Sequence, residues 1–163
     1  MRILLAPLAA LAAVASVSPA WAAPFQPLRF FDGRTESTGQ VKVALSAPHG
    51  LKVHGRGKME PDGTLILDQT VEEEGKPVRQ RHWQMKQVSP GLYAGTISDA
   101  VGRVQVETVG NRFRLRFKMK EGGYAAEQWL TPSADGTVLQ NDMTIKKFGI
   151  TVATVEETIR SVR

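Results

Sequence analysis

The side chains with most chemistry to offer are three histidines, His49, His54 and His82, and the carboxylates Asp32, Asp99 and Asp142. An imidazole metal site needs ligands spaced so that they converge on one point. His49 falls in a turn signal, His54 lies in the strand pattern that follows it, and His82 belongs to a distant run, so no ligand spacing forms. The three aspartates read as turn residues that cap the backbone. Ser89, Ser98 and Ser133 sit at strand ends, and no Gly-x-Ser-x-Gly elbow surrounds a serine. Gly55-Arg56-Gly57 lies inside a strand pattern and opens no helix, so it makes no phosphate cradle. Cysteine is absent, which removes disulfides, thiolate catalysis and cysteine-ligated zinc. The expectation is a protein that is not an enzyme, with no cofactor and no metal.

The elements that would position a binding site are more legible. Arg112–Lys120 alternates without exception, with Phe113, Leu115, Phe117 and Met119 on one face and Arg112, Arg114, Arg116, Lys118 and Lys120 on the other. Period-two alternation fits a strand with one apolar and one solvated face. A single-stranded nucleic acid would need aromatic and basic side chains on the same face, so this pattern predicts no nucleic-acid partner.

Turn signals recur at short intervals, at Pro48-His49-Gly50, Pro61-Asp62-Gly63, Gly75-Lys76-Pro77, Pro90-Gly91, Gly110-Asn111, Glu121-Gly122-Gly123 and Ala134-Asp135-Gly136. Between them, strands are predicted near 38–46, 51–60, 64–73, 78–88, 91–98, 101–109, 112–120, 124–131, 137–146 and 150–162. Thr154–Val162 also tolerates a short helix with Glu156 and Glu157 toward water. The acidic run Glu72-Glu73-Glu74 reads as a solvated hairpin tip, and Gly95 reads as a point of close backbone approach. So many consecutive hairpin-linked strands must manage their edges, and closure removes them. The predicted fold is all-β, an antiparallel up-and-down β-barrel of about eight to ten strands.

Met1-Arg2, the apolar run Ile3–Val17 and the small-residue end Ser-Pro-Ala-Trp-Ala-Ala form the pattern of a secretory signal peptide, with cleavage expected after Ala22. Residues 23–163 then form one domain, entered through a loosely held leader, Ala23–Leu28. The expected address is the periplasm. No cysteine follows the signal, so no lipid anchor is expected. The 21 Lys and Arg against 16 Asp and Glu favour anionic surfaces only weakly.

Phe30-Phe31-Asp32-Gly33, Gly39, Arg81-His82-Trp83-Gln84-Met85, Gly91-Leu92-Tyr93-Ala94-Gly95, Trp129 and Asn141-Asp142-Met143 leading to Lys147-Phe148-Gly149-Ile150 resemble, in this order, the DUF3833 family of exported bacterial proteins. The resemblance implies a lipocalin-like β-barrel in the bacterial envelope and supplies no catalytic residues. Many members resemble lipoproteins, and this chain departs from them in lacking the cysteine.

These readings converge on a periplasmic, monomeric lipocalin-like protein that binds a lipid or another small apolar molecule. The candidate lumen lining is Trp83, Tyr93, Phe113, Leu115, Phe117, Met119, Trp129 and Met143, with Asn141 and Lys147 as candidate polar contacts. The alternative is an accessory envelope protein that meets anionic membrane through its basic outer face at Arg114 and Arg116. An integral outer-membrane barrel is disfavoured, because Arg79, Arg81 and Gln87 interrupt any apolar band around Trp83.

Overall fold

The computed structural model describes residues 25–162, so the signal segment and its expected cut after Ala22 lie outside the described residues. A single helical turn, α1 (Pro27–Phe30), precedes ten strands: β1 (Gly33–Val43), β2 (His49–Met59), β3 (Thr64–Glu73), β4 (Arg79–Ser89), β5 (Leu92–Ile97), β6 (Val104–Val109), β7 (Arg112–Lys118), β8 (Ala125–Pro132), β9 (Val138–Lys147) and β10 (Ile150–Val162). Each strand pairs antiparallel with its neighbours in sequence, and β10 returns to pair with β1, Val155 opposite Val41. An up-and-down chain with an even number of strands brings its last strand antiparallel to its first, so the ring closes without an open edge.

Tight turns make this meander possible. Asp62 accepts from the Thr64 backbone N–H at 3.0 Å, and Asp135 from that of Thr137 at 3.1 Å. The Thr64 backbone bond, with Lys86 nearby, holds the Asp62 carboxyl down to about 2; the Ser133 hydroxyl and the Thr137 N–H do the same for Asp135. Gly63 and Gly136 follow them at φ 82° and 68°, a region that L side chains avoid. Gly95 is a point of close approach, since a Cβ there would overlap the Gln84 carbonyl on β4.

The strand expected over 150–162 is β10, and the helical alternative for Thr154–Val162 falls away because Ala153, Val155, Glu157 and Ile159 alternate inward. Two sequence expectations need correction. His49 opens β2 instead of sitting in a turn. The leader is not loosely held from Phe25 onward: the Phe25 ring packs 5.5 Å from Phe113 and 5.9 Å from Phe30. Pro27 starts α1 at a position where its missing N–H costs nothing. Asp32 then accepts from the Met59 N–H at 3.0 Å, tying the exit of α1 to β2.

The hairpins fall alternately at two ends of the barrel. α1 and the turns β2–β3, β4–β5, β6–β7 and β8–β9 lie at one end; the turns β1–β2, β3–β4, β5–β6, β7–β8 and β9–β10 lie at the other. The larger apolar cluster fills the interior near the α1 end with Phe30, Phe113, Leu139 and Ile159 and runs along the barrel to Ile97 and Val104 at the β5–β6 turn, with Phe25, Leu28 and Phe31 packed against it. A separate cluster of Val41, Leu51, Val53, Val71 and Val155 covers the wall formed by β1, β2, β3 and β10.

Candidate functional site

Between these clusters the barrel encloses a cavity of about 230 Å3. Its floor is α1 and the residue that follows it, through Pro27, Leu28 and Phe31. The lining residues that are themselves exposed, Val43, Lys76 and Arg79, all lie at the opposite end, which is therefore the mouth.

Of the residues expected to line the lumen, Trp83, Tyr93, Phe113, Leu115, Phe117, Met119 and Met143 do so. Burial pushes the Tyr93 phenol up. Trp129 does not line the lumen. On β8 it is Ala126, Gln128 and Leu130 that point inward, so Trp129 stands on the outer surface, with the Arg112 and Arg114 guanidinium carbons 4.5 and 5.3 Å from its ring. Lys147 is also excluded: it sits at the mouth-end rim, where Nζ contacts the Gly122 carbonyl and lies 4.7 Å from the Tyr124 ring.

Asn141 is inside, only 1 % exposed, in the middle of β9. Its Nδ2 donates to Glu157 Oε2 at 2.8 Å, and Ser37 Oγ donates to Glu157 Oε1. Gln128, buried on the neighbouring strand β8, continues a polar track across β1, β10, β9 and β8. Two amide oxygens on this track, Asn141 Oδ1 and Gln128 Oε1, are buried without a hydrogen-bond donor. Leaving such an acceptor unpaired costs about 1–3 kcal/mol, and both residues line the cavity.

The mouth carries a second polar group. Glu73, expected at a solvated tip, is 7 % exposed and points inward with Leu65, Leu67, Gln69 and Val71. It meets His49 Nε2 at 2.8 Å, Lys76 Nζ at 2.6 Å and Arg79 Nη2 at 3.5 Å. Burial pushes the Glu73 carboxyl up, but hydrogen bonds from His49 and Lys76 and the Arg79 charge outweigh it and hold it below the ordinary 4.5. Beside it, Arg81 pairs with Asp99 at 2.7 Å and Trp83 Nε1 donates to Gln69 Oε1 at 2.8 Å. His54 and His82 lie elsewhere, at Glu36 and Glu72, and at Asp68. Among the described residues no group of three metal-ligating side chains forms.

The parities of β3 and β10 carry the signals for Glu73 and Glu157, since each acid continues an inward apolar series. The floor residues Leu28 and Phe31 carry none, because a four-residue helix has no periodicity to read.

The outer face of β7 is largely neutralised. Arg114 pairs with Glu127 at 3.0 Å and Glu107 at 3.5 Å, and Arg116 with Glu107 at 3.3 Å. The Arg114 hydrogen bond, with one from Trp129, holds the Glu127 carboxyl low.

Among curated proteins, none matches the chain significantly by sequence. Solved structures do match by fold. An S-type phycobiliprotein lyase, CPES from Guillardia theta, superposes with a TM-score of 0.65 at 10% identity, over 83% of this chain and 90% of that one. Rv2717c from M. tuberculosis superposes with a TM-score of 0.61 at 14% identity, over 87% and 99%. Both likenesses are of fold, and the fold is lipocalin-like. The chain belongs to the DUF3833 family, described as a protein of unknown function, which matches residues 10–161.

Proposed function

We propose that this chain is an exported, periplasmic lipocalin-like binding protein whose barrel takes up a lipid or another small apolar molecule, acting as a monomer. The observation that carries the reading is the cavity itself: apolar walls, a filled floor, an open mouth, and two buried amide oxygens without donors. Small-molecule sites share this make-up, a mostly apolar pocket with a few placed polar groups. The guest that fits has an apolar body and one hydrogen-bond donor, a hydroxyl or an amide N–H, to meet Asn141 Oδ1 or Gln128 Oε1.

The volume limits the size of the guest. About 230 Å3 exceeds the ~150 Å3 of an engineered cavity that holds benzene and falls below the ~300–1,000 Å3 of pockets for drug-sized ligands. A ring or a short stretch of chain is enclosed, and a longer chain leaves through the mouth past Lys76 and Arg79.

The same reading assigns binding without turnover. The arrangement nearest to acid–base machinery, His49 with Glu73, is part of an ion cluster with Lys76 and Arg79 that ties the mouth-end hairpins together.

Native mass spectrometry of the protein recovered without detergent from the periplasm tests this reading. A non-covalent adduct released by organic extraction is expected, and the emptied protein should then bind the apolar probe N-phenylnaphthylamine with a change in Trp83 emission. Protein that carries no adduct and takes up no probe would refute it.

A further inference from the structure

We propose that the mouth end of the barrel docks on an anionic lipid bilayer, with the side chains of Leu45 and Phe148 inserted among the lipids. Of eight large hydrophobic residues exposed on the described surface, six lie at the mouth end: Val43, Leu45, Val78, Val101, Phe148 and Ile150. Leu45 is fully exposed and Phe148 is 94% exposed. The β1–β2 and β9–β10 hairpins that carry them are neighbours, because β1 pairs with β10 and the Ala44 N–H donates to Val152 O at 2.9 Å.

Neither residue is explained by folding. Leu45 (φ 66°) and Phe148 (φ 50°) are the two non-glycine residues at positive φ among the described residues. Leu45 occupies the second central position of a turn closed by Ser46 N–H to Val43 O, and Phe148 precedes Gly149 in the two-residue hairpin loop between Lys147 and Ile150. At both places Gly or Asn is the residue that turn geometry favours. A bulky side chain in the left-handed region is strained, and here it is also held out in water, where burial repays nothing.

The occupant is identified by charge. Residues 42–48 and 146–151, the two hairpins in question, hold Lys42, Lys146 and Lys147 and no carboxylate. Apolar tips flanked by lysines on the strands that carry them match a bilayer whose acyl region takes the side chains and whose anionic headgroups meet the ammonium groups. Docked this way, the mouth of the cavity faces the lipid. That a ligand passes between the two rests on the function proposed above, whereas docking rests on the rim alone.

Co-sedimentation of the purified protein with vesicles of phosphatidylethanolamine and phosphatidylglycerol, compared with phosphatidylcholine alone, tests the proposal. The protein should favour the anionic vesicles, and the preference should weaken as salt shortens the screening length from about 10 Å at 0.1 M to about 3 Å at 1 M. The Leu45→Asn/Phe148→Asn double variant places turn-compatible residues at both positions, so its urea midpoint should equal or exceed that of the parent. Its vesicle partitioning should fall by about tenfold for each side chain removed. A control at the α1 end, Val88→Ser/Val109→Ser, should bind as the parent does.

The proposal is overturned if the parent fails to sediment with anionic vesicles, binds phosphatidylcholine equally well, or loses nothing in the double Asn variant. A parent dimer that the Asn variant abolishes, without vesicle binding, would assign the surface to a second copy of the chain. Leu45 and Phe148 lie outside the cavity lining, so uptake of N-phenylnaphthylamine by the double variant should be unchanged. Failure of docking is thereby separable from failure of the cavity reading.

Discussion

Replacing Phe117 by Ala, with Leu139 replaced by Ala for comparison, distinguishes a lumen from a filled core. Leu139 is 0% exposed, belongs to the cluster near α1 and does not line the cavity, while Phe117 is 8% exposed and lines it. In a closed core a Phe→Ala change costs about 3–5 kcal/mol, made up of lost transfer energy and about 24 cal/mol for each Å3 of new void. Emptying ~100 Å3 in that setting contributes about 2.4 kcal/mol through the void alone. Where the side chain already faces a cavity that opens to solvent, the removed volume joins existing space, so the void contribution lapses and about 2 kcal/mol of transfer energy is left. Leu139→Ala, with packed neighbours on every side, should cost about 4 kcal/mol, in the upper half of its class. The larger truncation is thus expected to be the milder one. Urea unfolding at constant m reads both values, and N-phenylnaphthylamine titration should show altered affinity for Phe117→Ala and none for Leu139→Ala. A loss of 4 kcal/mol or more at Phe117, with unchanged probe binding, would show that the ring is a core residue and that the space beside it binds nothing.

Asn141→Leu removes the amide that donates to Glu157 Oε2, and losing a hydrogen bond to a buried charged group should cost about 1.5–3 kcal/mol in urea unfolding; an unchanged midpoint would dismiss the polar track as a stabilising element. Asn141→Asp sets a second carboxyl against Glu157, so one of the two must hold a proton, and this variant should gain stability relative to the parent as pH falls from neutrality toward about 4. Glu73 has a depressed folded pKa; such a group stabilises the fold above its unfolded value, and that stabilisation is lost as pH falls through the folded value. Glu73→Gln should therefore lower stability at neutral pH and flatten its decline below about pH 4.5, and parallel pH profiles for parent and variant would count against the mouth ion pairs. Trp129→Ala removes an outer-face ring stacked with Arg112 and Arg114, which should cost about 1–2 kcal/mol and leave probe binding untouched; weakened probe binding would return Trp129 to the site.

The fold was legible because each strand repeats a period-two decision and β7 makes that decision without exception. Once Phe113, Leu115 and Phe117 are inward, the hairpin register of Gln105 with Arg116 and of Arg116 with Glu127 sets the faces of β6 and β8. Residue type misleads where it runs against parity. Trp129 is large and apolar, yet its parity partners on β8 are Glu127 and Thr131, and cation–π contact with two arginines replaces burial as the partner of its ring. Glu73 is charged and stands in an acidic run before a turn, yet its parity partners are Leu65, Leu67 and Val71, and three cationic or imidazole neighbours make its burial tolerable. The floor of the cavity was not legible at all. Phe25, Leu28 and Phe31 acquire their place only when the closed ring offers an end to plug, which is a tertiary fact with no local pattern in the chain.

A chain folds to one structure when local preference and tertiary demand agree, and their disagreements concentrate where function intervenes. At the α1 end they agree: Asp62-Gly63 and Asp135-Gly136 supply the turn residues the hairpins require, and Leu139 is wholly buried. The disagreements lie farther along the barrel. Asn141 and Gln128 bury acceptors with no donor, Glu73 buries a charge at the mouth, and Leu45 and Phe148 force bulky side chains into a glycine region and then expose them. These features run in order from cavity wall to mouth to rim, and each is a local cost that a partner would offset: a donor in the lumen for the amides, a bilayer at the rim for the two side chains. If that account is right, stabilising substitutions should be found readily in this half, at Leu45, Phe148 and the amide track, and should carry a loss of binding with them. Equivalent substitutions around Leu139 should find no such trade, because that side chain is wholly buried in an apolar cluster and lines no cavity.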